Sequence, residues 1–170
     1  MTPYNHIAFM EEVASTLKDI FHKPNKKRFF ISTGLVSMDG IMANLPSANL
    51  PCLIAENNSD ERLSDSISDN IISIPFYTFY ILYAASPGND QKIMEARLKA
   101  KLTAKKVISK MLYKRLDPDL GLNLVDYNSI RILGVGPIAD SAHGVMVTFS
   151  LIEPAKLIYN PEDWNDDTPT

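Results

Sequence analysis

Residues 71–85 read IISIPFYTFYILYAA and carry the strongest β-strand signal in the chain. β-branched and aromatic side chains fit a pleated, buried surface, and the run is too short to cross a bilayer as a helix. Both of its alternating sets are largely apolar: Ile72, Ile74, Phe76, Tyr80 and Leu82 in one, and Ile71, Tyr77, Phe79, Ile81 and Tyr83 in the other. Because a strand that is apolar on both sides is covered on both sides, we expect both faces of this strand to be covered, with a second copy of the molecule as one candidate for a cover.

Two amphipathic helices are expected, one before and one after this strand. The first runs over Tyr4–His22, where apolar residues recur at helical spacing after the helix-starting pair Thr2-Pro3. The second runs over Gln91–Leu116, and its alanine-rich stripe allows close packing against a sheet. That stripe consists of Ile93, Ala96, Ala100, Ala104, Val107 and Met111.

Shorter strand signals complete the pattern. They cover Phe29–Met38, Leu50–Glu56, Ile130–Val135 and Val145–Ile152. Residues 136–144, between the last two, are too many for a tight hairpin turn, and the polar residues 57–70 are expected to form a long loop. The sequence therefore predicts an α+β fold in which a mixed, mostly antiparallel sheet of about five strands packs against the two main helices.

The chain length of 170 residues fits one domain. We expect residues 1–159 to form it and residues 160–170, the acidic tail, to be extended. The single cysteine, Cys52, excludes an intrachain disulfide and suits a reducing compartment. Glu11 and Glu12 interrupt the first apolar stretch, which is the wrong pattern for a secretory signal. A cytoplasmic protein without a membrane segment is expected.

Residues with catalytic or metal-binding chemistry are scattered along the sequence. His6, His22 and His143 are far from one another, whereas a zinc site needs clustered ligands. There is no G-x-S-x-G pattern, and Gly134–Pro137 precedes a strand rather than a helix, which predicts a turn and not a phosphate loop. The sequence favours a protein without catalytic activity, metal or cofactor; a small-molecule pocket under the aromatic central strand is the alternative.

The formal net charge of −3 is unevenly distributed. Gln91–Leu116 holds nine basic residues and one acidic residue, so the rest of the chain is acidic. The basic helix has three open interpretations: a solvated face, a contact with an acidic protein surface, or a row of cations for nucleic-acid phosphates. The candidate partner-binding residues are Lys101, Lys105, Lys106, Lys110 and, in the acidic tail, Trp164.

The predicted element order is helix, strand, strand, loop, strand, long helix, strand, strand. With the closing pair Ile130–Leu133 (IRIL) and Val145–Ser150 (VMVTFS), this order resembles the tail terminator and tail-completion proteins of long-tailed bacteriophages. The resemblance covers residues 4–157 and rests on element order rather than on a diagnostic motif. It implies a homo-oligomeric ring, commonly of six subunits, that caps the tail tube, docks the head connector and catalyses no reaction.

The resemblance also implies where the protein works and what it binds. Its partners would be other copies of itself, the tail tube and the head connector, in the host cytoplasm or in the virion tail. Opposite charges on the helix and the acidic tail would then meet across a heterologous interface. The alternative is a nucleic-acid-associated protein that binds phosphates through the basic helix, residues 91–116.

Overall fold

A computed structural model describes residues 3–33, 49–57, 60–66, 70–138, 141–155 and 157–163. Within these residues the chain forms two α-helices, α1 (His6–Thr16) and α2 (Asp90–Lys114). The strands are β1 (Phe29–Ser32), β2 (Cys52–Glu56), β3 (Glu61–Ser66), β4 (Asn70–Ala84), β5 (Val125–Ile138), β6 (Ala142–Leu151) and β7 (Glu153–Pro154). Single 3₁₀ turns lie at Leu122–Leu124 and Pro161–Asp163.

The strands form one mixed, mostly antiparallel sheet, which confirms the predicted α+β class. The main order is β1-β2-β4-β6-β5, and only the β1–β2 pair is parallel. The sheet has seven strands rather than about five, because β3 and β7 pair with the first residues of β4. Pro75 of β4 lies opposite Glu61, and Ile72 lies opposite Pro154. The first half of β4 is therefore bordered by two short strands beyond the main sheet.

The main core lies between one face of the sheet and the two helices. Phe79 and Ile81 of β4 and Val147 of β6 pack there against Val107 and Met111 of α2. All five side chains are buried. The helices therefore cover one face of β4.

The opposite face of the sheet has its own apolar cluster. It includes Cys52 and Ile54 of β2 with Tyr80 and Leu82 of β4. These side chains are buried in the single chain. The middle of β4 therefore needs no second copy to exclude water from its second face, which answers the question the sequence left open.

Helix α1 is shorter than the predicted Tyr4–His22. It begins after Asn5, whose side-chain oxygen accepts a hydrogen bond from the Ala8 amide at 3.0 Å. It ends at Thr16 because Leu17 is extended and Phe21 has a φ of 52°, in the left-handed region. The residues up to His22 form a turn that leads to β1.

Residues 57–70 are not one long loop, because β3 lies within them and pairs along its whole length with β4. The predicted long connection at 136–144 is also wrong. β5 runs on to Ile138, so three residues separate it from β6. A register shift between Val135 and Ile138 accommodates Gly136, whose φ is 113°, within the strand instead of in a turn.

Candidate interaction surface

The inward side of α2 is built for close approach to the sheet. Ala96, Ala100 and Ala104 are buried at successive turns, and small side chains let the helix backbone lie near β4 and β6. The Tyr83 hydroxyl and the Thr103 hydroxyl are hydrogen-bonded at 2.9 Å, which positions this part of α2 near the end of β4. The alanine stripe predicted from the sequence is therefore the buried side of the helix.

The opposite side of α2 is also apolar, and it faces solvent. Met94, Leu98 and Leu102 recur at four-residue steps and are 71%, 58% and 52% exposed. At about 100° per residue they lie roughly opposite the alanine stripe. We call this surface, with the exposed residues Leu112, Tyr113 and Leu116 that continue it, the outward apolar face.

A helix that is apolar on both sides is normally buried on both sides, so the outward apolar face has the character of a contact surface. Its signal is present in the sequence as a second stripe of Met and Leu at i, i+4 and i+8. Analysis of the sequence missed this stripe because the basic residues around it were the more conspicuous feature.

Two of the four candidate lysines are held by the chain itself. Lys106 Nζ lies 2.6 Å from Asp19 Oδ2, and Lys110 Nζ lies 2.8 Å from Glu12 Oε1. The hydrogen bond from Lys106 is the main reason that the pKa of the Asp19 carboxyl is lowered, with a further hydrogen bond from Thr103. These pairs tie α2 to α1 and to the turn after it.

The other two candidate lysines are available to a partner. Lys101 and Lys105 are exposed and make no ion pair within the part of the chain that the structure describes. Lys105 is one turn beyond Leu102 on the outward side, and Lys101 lies beside the stripe. Trp164 is outside the described residues, so its role remains a prediction.

A second exposed apolar segment follows β7 near the C-terminus. Leu157, Ile158 and Tyr159 are consecutive and exposed, and Ile158 is 86% exposed. Glu162 and Asp163 follow them and are also exposed. We call residues 157–163 the C-terminal segment; it carries large apolar groups followed by negative charge.

The projecting hairpin of β3 and β4 is a third exposed region. Leu63, Ile71 and Phe76 are exposed large apolar side chains on it, and Glu61 and Asp65 add negative charge. Beside it is an open groove of about 570 Å³ lined mainly by apolar side chains, among them Ile71. The hairpin thus offers a further apolar and acidic surface at the same end of β4 as β7.

Three titratable side chains, His6, Cys52 and His143, are buried in the fold. Burial lowers the pKa of His6 to about 4, and its Nε2 lies 2.9 Å from the Thr78 carbonyl oxygen. Burial raises the pKa of the Cys52 thiol to about 12. Burial, with the nearby charge of Arg97, lowers the pKa of His143.

Among the residues that the structure places, no three His, Cys, Asp or Glu side chains are grouped so that they could hold a metal ion. None of the described helices is long and apolar enough to cross a membrane. No protein-family model, no curated protein and no solved structure matches this chain.

Proposed function

We propose that this protein is a structural component of a phage or prophage tail: a terminator that forms a ring, caps the tail tube and joins it to the head connector. The observation that carries the proposal is the outward apolar face of α2. This face provides a surface for association with a partner rather than a set of reactive groups. The proposed role is mechanical and takes place in the host cytoplasm and then in the virion.

The size of the outward apolar face suits a protein contact. It comprises six large side chains, each 42% exposed or more. Complete burial of one such side chain contributes roughly 1.5–3 kcal/mol, so burying the exposed parts of six is of the same order as the roughly 4–15 kcal/mol that association costs. Covering this face therefore roughly offsets the cost of association, and the affinity comes from the additional contacts that the partner makes.

The arrangement of the elements also supports the proposal. The observed order of main helices and strands is the one on which the resemblance to tail terminators rests, with the β3–β4 hairpin in place of the expected loop. This hairpin extends past the main sheet, so it is suited to reach a neighbouring subunit or the tube.

The nucleic-acid alternative has less support. Lys106 and Lys110 are already paired with carboxylates of the same chain, and the outward side of α2 combines Lys101 and Lys105 with the larger set of exposed Met, Leu and Tyr side chains. Phosphate binding by a helix requires cations along its outer side. An apolar outer side instead favours a protein partner.

Light scattering coupled to size exclusion tests the proposal, over a range of protein concentrations and at low and high salt. We expect an oligomer of fixed size that persists in high salt, since apolar burial is insensitive to screening whereas phosphate binding weakens steeply with salt. Electron microscopy of the protein mixed with purified tail tubes should show rings at tube ends. A monomer under all conditions that also leaves the tubes uncapped would refute the proposal.

A matched pair of variants links assembly to α2. Leu98→Ser with Leu102→Ser should abolish the oligomer while leaving the fold intact, because both side chains are solvent-exposed in the single chain. Ile31→Ser, at a side chain of 46% exposure on β1, is the control and should assemble normally. Equal loss of assembly in both would show that α2 is not the contact.

A further inference from the structure

We infer that the outward apolar face of α2 binds the C-terminal segment of a second copy of this chain, so that the copies join head to tail. This inference rests on the proposed self-assembly and names the two surfaces that meet. In the second copy, residues 157–163 bind the outward apolar face.

The chemistry of the two surfaces is complementary. Leu98 and Leu102 form an apolar stripe that is followed by the exposed cation of Lys105. On the C-terminal segment, Ile158 is followed by the carboxylate of Glu162. Three consecutive exposed large apolar residues are rare on a folded surface without a binding role. On both surfaces apolar residues are followed along the chain by a charged group, and the two charges are opposite in sign.

The two surfaces also match in length. The helix rises about 1.5 Å per residue, so Met94 to Lys105 spans roughly 16 Å. With residues 157–160 extended and the 3₁₀ turn at Pro161–Asp163 rising about 2 Å per residue, the C-terminal segment reaches about 16 Å from Leu157 to Asp163. One segment can therefore cover the apolar stripe and still bring its carboxylates to the lysines.

Within one copy the stripe of Met94, Leu98 and Leu102 and the C-terminal segment lie at opposite ends of β4. Thr103 of α2 is hydrogen-bonded to Tyr83, near the end of β4. β7, which precedes the C-terminal segment, pairs with Ile72 near the start of β4. With a rise of roughly 3.3 Å per residue, the distance along the strand from Ile72 to Tyr83 is about 36 Å.

A copy cannot bind its own C-terminal segment at this position. The amide of Ala155 is hydrogen-bonded to the Ile71 carbonyl at 3.0 Å, which anchors the start of the segment. Ile158 is three residues further on, so it can lie at most about 11 Å from that anchor. Contact with Leu98 thus requires a second copy, and two different surfaces at opposite ends give a heterologous contact, which forms a ring where the rotation between copies closes and a filament where it does not.

Cross-linking between two single-cysteine variants tests the inference. Leu98→Cys and Ile158→Cys are prepared as separate proteins and mixed with a short bis-maleimide. We expect a covalent dimer in the mixture and little in either variant alone. Cys52 is fully buried, so the wild-type chain gives the background level of cross-linking. A mixture of Ile31→Cys with Ile158→Cys is the matched control. A dimer as abundant in the control as in the test mixture would overturn the inference.

The double variant Leu98→Cys/Ile158→Cys separates the possible occupants. A ladder of covalent multimers is expected from head-to-tail contact. An internally linked monomer would show that the segment folds onto its own helix, which would overturn the inference. If light scattering shows an oligomer that gives no ladder, the inference fails while the proposed function stands, with the β3–β4 hairpin as the next occupant to test. If the protein is a monomer throughout and does not cap tubes, both fail.

A charge exchange provides an independent readout. Lys101→Glu with Lys105→Glu in one chain, and Glu162→Lys with Asp163→Lys in another, should each weaken association several-fold. Mixing the two chains should restore it, because each contact then joins opposite charges again. Failure of the mixture to recover assembly would contradict the assigned pairing.

Discussion

The buried histidine of α1 makes the stability of the fold depend on pH. His6 Nε2 donates a hydrogen bond to the Thr78 carbonyl oxygen, 2.9 Å away, and its Nδ1 lies 3.2 Å from the Tyr4 hydroxyl. Burial lowers its pKa from 6.5 to about 4, and the hydrogen bond to Thr78 opposes part of that effect. Since the Thr78 carbonyl can only accept, Nε2 carries the proton of the neutral ring.

The sign and size of the effect follow from these values. Above pH 6.5 the His6 ring is neutral in both the folded and the unfolded state, and its contribution to the free energy of unfolding is fully present. As the pH falls from 6.5 towards 4, the unfolded chain binds a proton that the folded chain does not. The free energy of unfolding then decreases by about 1.4 kcal/mol per pH unit, to a total of about 3 kcal/mol, and levels off below the folded pKa.

Urea denaturation at several pH values between 7 and 4 measures this loss. The control is His6→Gln, whose amide retains a donor for the Thr78 carbonyl but has no proton to gain. Carboxylates titrate in both proteins, so the difference between the two pH profiles isolates His6. We expect the wild-type profile to be the steeper one. Parallel profiles would refute the reasoning.

Three further predictions concern packing and charge. Gly144→Ala places a Cβ against backbone atoms of β4 and should reduce the free energy of unfolding by about 1–3 kcal/mol in urea denaturation, whereas Gly134→Ala meets open space and should change little. Lys106→Ala should raise the pKa of the Asp19 carboxyl in an NMR titration by removing its hydrogen bond, and Lys105→Ala should leave it unchanged. Deleting the acidic tail, residues 160–170, should lower the oligomer mass in light scattering and leave the thermal midpoint of unfolding nearly unchanged. A large fall in the thermal midpoint would contradict the assignment of the tail to assembly.

The sequence predicted the elements with long periodic signals well. β4 and α2 begin and end within one or two residues of the predicted Ile71–Ala85 and Gln91–Leu116, because apolar side chains mark their whole lengths. β3 was missed because Glu61–Ser66 is polar. Its strand conformation comes from pairing with β4 rather than from its own propensity.

The candidate surface was only partly predictable for a similar reason. The partners of Lys106 and Lys110 are Asp19 and Glu12, nearly ninety or more residues earlier in the chain, and no local pattern brings them together. The exposed side of α2 also depends on which of its two stripes the sheet covers. Alanine on one side and leucine on the other decides this, since the smaller residues allow the closer approach.

The pairing of β4 determines how early during synthesis the sheet can be completed, and therefore when the proposed assembly could begin. One edge of β4 pairs with β2, which precedes it, but the other pairs with β6, which is made some sixty residues later. During synthesis the sheet therefore stays open until residue 151 has left the ribosome, and the C-terminal segment emerges last of the described chain. In the proposed head-to-tail ring, a nascent chain can thus offer α2 to finished copies but cannot bind them through its own C-terminal segment, so the ring would close only after that segment has been made.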